Sequence, residues 1–359
     1  MVIHMYNLKI VNMISDKNKS MIYEVLAHPT LIESGLKAPV DLELPRTNKI
    51  VFTGIGTSGL TGEFMKIYFE SKGYDARIRV YRHQDVPIDD ESIYIIYSYS
   101  GTTLETLRTL MKLHEAGKTP LVFSTDGYLE KYALKYKLPF FKIRVPQIEN
   151  VEKLETRSHL PLGITYFSRI FSKILGSEDE VTHELREGLS HIKSFISRLD
   201  EKIDSFKDIA GKIINAKIPI ISADYATAIL ARRFRNQLCE NSKRVTMWDV
   251  FPEMGHNLLC SLKEEESNVL IIAFRRKDAD PITRKYYEIL LELFNEGQNL
   301  IFIDLEEEKY SWGMLFEGIF IGDLISILVG DYLGRETKPI HQVDIVKKKL
   351  REVVRVDRL

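Results

Sequence analysis

Short apolar runs alternate along this chain with longer stretches in which hydrophobic residues recur every three or four positions. In the first half, Lys49–Thr53, Ala76–Arg82, Ile93–Ser98, Pro120–Ser124 and Pro139–Val145 read as strands. Thr61–Lys72, Thr103–Ala116 and Tyr128–Tyr136 read as helices between them. Strands that are apolar on both faces, separated by helices, predict a parallel sheet covered on both sides. The second half repeats the alternation more loosely. Ile218–Ala223, Val245–Trp248, Asn268–Phe274 and Asn299–Asp304 are its strand runs, and Tyr225–Ser242, Pro281–Asn295 and Gly313–Leu333 its helices. Ile174–Lys207 is charged, with Leu185, Leu189, Ile192, Phe195, Ile196 and Leu199 at helical spacing, and reads as a bridge. A basic amphipathic helix around Val343–Val354 closes the chain. The pattern predicts an α/β protein with two doubly wound domains. A helical extension would cover 1–40, a first domain 41–175, a helical linker 176–207, a second domain 208–335 and a C-terminal helix 336–359.

The length of 359 residues suits about two domains of ~150 residues. With 44% hydrophobic and 28% charged residues the chain can bury a core, which excludes a mostly disordered protein. Lys plus Arg number 50 against 51 Asp plus Glu, so neither a nucleic-acid nor a membrane partner is expected. A small anion still suits it, since local dipoles can hold one. Cys239 and Cys260 are too few for a disulfide framework or a zinc site, which points to a reducing cytoplasm. No His/Asp/Glu cluster has ligand spacing, so no metal or other cofactor is expected. The N-terminus has no signal-peptide pattern. The apolar stretch Met314–Leu333 is broken by Glu317, Gly318, Gly322, Asp323 and Asp331, which predicts a buried helix and no membrane span.

Two loops carry the candidate chemistry. Gly54-Ile-Gly-Thr-Ser-Gly59 follows the first strand, and Ser98-Tyr-Ser-Gly-Thr-Thr103 follows the third; a helix follows each. In a sheet of order 2-1-3-4-5 these strands flank the switch point, where ligands bind. Glycine lets the backbone approach closely, and helix N-terminal N–H groups favour an anion. Ser and Thr hydroxyls add neutral donors, so a phosphate can be held without Lys or Arg. The first loop spells G-x-G-x-x-G, but the second strand ends in Val80-Tyr-Arg82-His83 with no usable acidic residue, which speaks against a dinucleotide. No Lys follows the glycines, so it is not a P-loop. Thr102 with Glu105 also reads as a capping box, which is the plain structural reading of the second loop.

With these loops the chain resembles the sugar isomerase (SIS) family, and within it the bifunctional phosphoglucose/phosphomannose isomerases of archaeal type. The motifs recur in order: the two loops, Glu155-Thr-Arg-Ser-His159, Asn236-Gln-Leu-Cys-Glu-Asn241 and Pro252-Glu-Met-Gly-His-Asn257. The resemblance implies two SIS domains, each a parallel sheet of five or nearly five strands flanked by helices. It implies a phosphate held by Gly56, Ser58, Ser98, Ser100 and Thr103. An aldose-ketose isomerase needs a group that opens the ring, a base that moves a proton between C1 and C2, and a stabiliser of the enediolate.

Glu240, in Glu240-Asn-Ser-Lys243, matches the family's base. At helical spacing it shares a polar face with Arg233, Asn236 and Gln237, opposite Ala231, Phe234, Leu238 and Cys239; alone, that would read as a solvated helix end. His256 matches the ring-opening histidine, and imidazole titrates near ~6.5, which suits a proton shuttle. Gly255 and Leu258 stand where the family has Asn and Glu. Arg157 matches the enediolate stabiliser, although Thr156 and His159 replace the Pro and Ala of the family's P-R-x-A. In the terminal helix Lys349 matches an active-site lysine, with Lys347 and Lys348 as competitors. His159 and His341 lie near these motifs and are expected behind the site or at the surface.

The expected function is interconversion of glucose 6-phosphate and fructose 6-phosphate through a cis-enediol, with mannose 6-phosphate as a further substrate. The resemblance also implies a homodimer in which His256 reaches the other subunit's site. The alternatives are another SIS enzyme acting on glucosamine 6-phosphate, or a non-catalytic phosphosugar sensor.

Overall fold

A computed structural model describes residues 9–40, 47–264 and 268–353. Residue 41, the expected start of the first domain, and Val354, the expected end of the last helix, lie outside these residues. In chain order the elements begin with α1 (Lys9–Met13), α2 (Asp16–Leu26) and α3 (His28–Lys37). Then come β1 (Lys49–Thr53), α4 (Thr57–Ser71), β2 (Arg77–Tyr81), β3 (Ile93–Tyr97), α5 (Leu104–Glu115), β4 (Leu121–Ser124), α6 (Gly127–Lys135) and β5 (Phe140–Lys142). Helices α7 (Leu160–Leu175), α8 (Glu178–Ser197) and α9 (Leu199–Asn215) follow. The remainder is β6 (Ile218–Ala223), α10 (Ala228–Asn241), β7 (Met247–Val250), a 3₁₀ turn (Glu253–His256), α11 (Leu258–Glu264), β8 (Val269–Arg275), α12 (Pro281–Leu293), β9 (Leu300–Asp304), α13 (Trp312–Tyr332) and α14 (His341–Val353).

The chain forms two compact units. One gathers Thr30–Ile148, Glu152–His183 and the described residues from Ile340 onward. The other gathers the described residues up to Pro29, Glu149–Val151 and Glu184–Pro339.

In the first unit the strands are all parallel, in the order β2-β1-β3-β4-β5. Each apolar run supplies side chains to both faces. Phe52 and Phe123 meet Phe167 of α7 on one side, with ring centroids 5.2 and 5.0 Å apart. Val51, Tyr94, Ile96 and Val122 form the other side with Leu104, Leu107, Leu110 and Leu113 of α5 and Leu129 of α6. Leu350 of α14 packs against that second cluster.

In the other unit four parallel strands run β7-β6-β8-β9, one strand fewer than in the first sheet. Helix α13 is long and apolar enough by length and composition to cross a membrane, yet Trp312–Gly330 are buried in this unit, as its polar interruptions predict. Each interruption has a partner. Glu317 Oε2 lies 2.7 Å from His191 Nε2, and its Oε1 accepts from the Glu306 amide at 2.9 Å. Asp323 accepts two hydrogen bonds from Arg233 of α10, both 2.8 Å. His28 Nε2 lies 3.6 Å from Asp323; burial pulls the His28 pKa down to about 4, so the ring is neutral at pH 7 and Arg233 supplies the counter-charge.

Two stretches differ from the pattern. The bridge Ile174–Lys207 is three helices, because Gly176 turns left-handed (φ 78°) and ends α7, and the chain breaks again at Arg198. The strand read at Val245–Trp248 begins at Met247 instead. Lys243 adopts φ 53° after α10, and the Arg244 amide bonds back to the Leu238 carbonyl, so the chain is still turning at Val245.

Candidate phosphosugar site

The two Ser/Thr loops leave the C-terminal ends of β1 and β3, which are neighbours in the sheet, so the switch point is where the order 2-1-3-4-5 puts it. The loops are hydrogen-bonded to each other: the Tyr99 amide donates to Ser58 Oγ at 3.0 Å. Within the second loop Ser98 Oγ bonds Thr103 Oγ1 at 3.1 Å, and Ser100 Oγ bonds Thr102 Oγ1 at 3.0 Å. The capping box read at Thr102 and Glu105 is not formed. The cap of α5 is Thr103, with no side-chain bond to the helix amides, because both threonine hydroxyls turn to serines. Gly56 at the head of α4 makes no side-chain cap either. Two helix N-termini therefore face the switch point with side-chain oxygens around them and no carboxylate cap, which favours an anion.

Glycine is required at two places. Gly56 has φ 62° and is exposed, which leaves its amide open at the loop tip. Gly101 has φ 61°, and a Cβ there would lie 1.6 Å from the Asp126 carbonyl oxygen. Ser58 and Ser98 are buried, while Ser100 and Thr103 are partly exposed. The structure thus brings together Gly56, Ser58, Ser98, Ser100 and Thr103.

Arg82 is a contributor that the sequence reading passed over. It follows β2, next to β1, and its Nη2 donates to the Gly56 carbonyl at 3.1 Å while Nη1 lies 3.4 Å from Glu63. It braces the first loop. Its signal was present in the Val80-Tyr-Arg82 strand end, since order 2-1-3 places that end beside the first loop.

Arg157 lies in the same unit and is buried, with Glu155 Oε2 3.4 Å from its Nη1. His159 is also buried, stacked on Tyr99 of the second loop. On α14, Lys347, Lys348 and Lys349 are all exposed, as is His341.

In the other unit Glu240 is half-buried near the end of α10 and His256 is exposed on the turn after β7. Part of the polar face read on α10 has a packing explanation: Arg233 and Gln237 are buried, and Arg233 is held by Asp323. The structure does not bring Glu240 and His256 together within this unit. Helix α10 starts where β6 ends and runs back, so Glu240 lies about 18 Å along it, toward the N-terminal edge of the sheet. Strand β7 is parallel to β6, which puts His256 at the C-terminal edge. This sheet's own switch point is filled. Asp224, after β6, receives Arg276 Nε at 2.6 Å and the Thr227 amide at 2.9 Å, and Arg276 also bonds Asp278. Helix α12 there is capped by Asp280. With its guanidinium neutralised and acidic caps in place, this edge does not suit a phosphate.

Comparison with known proteins agrees with this geometry. Residues 43–135 match the SIS domain, and residues 203–350 match the bacterial phospho-glucose isomerase C-terminal SIS domain. The chain is 25% identical to a bifunctional phosphoglucose/phosphomannose isomerase of Caldicellulosiruptor bescii, over 89% of this chain and 95% of that one. It is 29% identical to a D-glucosamine-6-phosphate 4-epimerase of Sulfolobus acidocaldarius, over 62% of this chain and 67% of that one. Among solved structures, the C-terminal domain of glucosamine-fructose-6-phosphate aminotransferase from Francisella tularensis shares the fold, with a TM-score of 0.67 at 16% identity, covering 90% of this chain and all of that one. The chain belongs to the SIS family and is built of two SIS-type domains.

Proposed function

We propose that this protein is a phosphosugar isomerase that interconverts glucose 6-phosphate and fructose 6-phosphate, and that also takes mannose 6-phosphate. The observation that carries this reading is the pair of hydrogen-bonded Ser/Thr loops at uncapped helix N-termini on the switch point of the first sheet. The relatives named bifunctional phosphoglucose/phosphomannose isomerase, similar over most of the chain, support the same reaction. Gly56, Ser58, Ser98, Ser100 and Thr103 take the phosphate. His256 opens the ring, Glu240 carries the proton between C2 and C1, and Arg157 stabilises the enediolate. Lys349 adds positive charge near the sugar. The reaction needs no redox partner, because the carbonyl moves from C1 to C2 as the proton moves the other way. The two free cysteines suit a cytoplasmic enzyme.

Glu240 and His256 stand at opposite edges of one sheet, which supports a homodimer in which His256 of each chain serves the sugar held by the other. Sedimentation is expected to give a dimer, and dilution below its dissociation constant should remove activity. A fully active monomer would contradict the shared site. Ser100→Ala is expected to raise KM severalfold and change kcat less, because the phosphate is gripped about equally in the ground and transition states. Steady-state kinetics with fructose 6-phosphate measures both.

The test of the reading is turnover on fructose, mannose and glucosamine 6-phosphates side by side. Isomerisation of the first is expected. Conversion of glucosamine 6-phosphate alone would favour chemistry like that named for the Sulfolobus relative.

A further inference from the structure

We propose that His159 is a positioning residue that sets Arg157 against the second phosphate loop, an inference that rests on the isomerase reading above. The His159 ring lies face to face on Tyr99, with centroids 4.1 Å apart and planes 5° from parallel. Tyr97 meets the same ring edge-on at 5.8 Å. His159 Nδ1 is held against the carbonyl of Thr156, the residue before Arg157. The imidazole is only 1% exposed and Tyr99 only 9%, so the stack is a packed contact with no solvent to soften it.

Tyr99 is the hub of the phosphate site. Its amide donates to Ser58 in the first loop, and its carbonyl accepts from the Thr125 amide at 3.0 Å and from Thr125 Oγ1 at 2.7 Å. On the other side His159 caps α7, whose next turn begins with the Gly163 amide donating to the His159 carbonyl at 3.0 Å. A buried helix thus presents a fixed ring to the loop that grips the phosphate. Arg157 is two residues away, so its Cα lies within about 7.6 Å of that of His159. The stack fixes how far the guanidinium stands from the phosphate. In an isomerase that distance must match the span from the 6-phosphate to the C1–C2 enediolate.

A mispositioned electrostatic group loses rate while phosphate binding survives. His159→Ala is expected to lower kcat about tenfold to hundredfold and to leave the affinity for inorganic phosphate, measured by calorimetry, within about threefold. His159→Phe keeps the flat ring against Tyr99 and is expected to recover most of the lost kcat; it also serves if the alanine variant does not fold. The decisive measurement is kcat in a double-mutant cycle with Arg157→Ala. Because His159 acts through Arg157, His159→Ala is expected to change kcat less than about threefold once Arg157 is gone. Additive losses, or a phenylalanine variant as slow as the alanine one, would overturn this inference and leave the isomerase reading standing. Absence of turnover in the unaltered enzyme on every phosphosugar would overturn both.

Discussion

Glu240→Gln is expected to lower kcat by about 10²–10⁴, the range for a lost general base, while the phosphosugar still binds. Glutamine keeps the shape and hydrogen-bonding capacity of the side chain but cannot accept the proton that leaves C1 of the ketose or C2 of the aldose. Glu240 sits half-buried on the last turn of a helix anchored in the core by the buried Arg233 and Gln237. The helix is therefore held rigidly, and the substitution should leave the fold and the melting temperature unchanged. Kinetics with fructose 6-phosphate, together with calorimetric binding of the substrate, separates the two effects. A glutamine variant within threefold of the parent would assign the base to another residue.

Asp323→Ala carries the largest expected loss of stability, about 3–5 kcal/mol. It leaves the Arg233 guanidinium, which cannot shed its proton, buried at 1% exposure with its bidentate carboxylate gone. His28 offers no compensation, since burial keeps it neutral. The melting temperature of the unit is expected to fall on the order of 10 °C. Replacing both partners by apolar residues of similar volume, Arg233→Met with Asp323→Leu, should recover most of that loss, because the guanidinium and the carboxylate that pairs with it are then removed together. Thermal denaturation of the three variants checks the account. A double variant as unstable as Asp323→Ala would show that the pair contributes more than mutual neutralisation.

The sheets and the placement of the two Ser/Thr loops were legible because their determinants are local. Lys49–Thr53 and Ile93–Ser98 are apolar on both faces, and such runs have few uses outside a covered parallel sheet. Gly56 and Gly101 occupy left-handed backbone that the loops need, and the Ser and Thr residues stand beside them in the chain. What was not legible depends on pairings between distant residues. Nothing near Arg233 announces Asp323, which is 90 residues further on, so the polar face of α10 could read as a solvated end. Nothing near His159 announces Tyr99. The capping box at Thr102 was a sound local reading that failed for a tertiary reason, since Ser98 and Ser100 claimed the threonine hydroxyls. The membership of α2 was hidden for the same reason: Asn18 joins it to Thr337 and Asp331 at the far end of the chain.

The central claim is proton transfer between C1 and C2 of a hexose 6-phosphate, and the direct test is isotopic. The unaltered protein is incubated with fructose 6-phosphate in heavy water, and the aldose product is read by proton NMR. The account predicts glucose 6-phosphate carrying deuterium at C2, because the proton on Glu240 exchanges with solvent before it returns to carbon. Turnover with label at no carbon would contradict a solvent-exchanging base, and no aldose at all would contradict the isomerase itself.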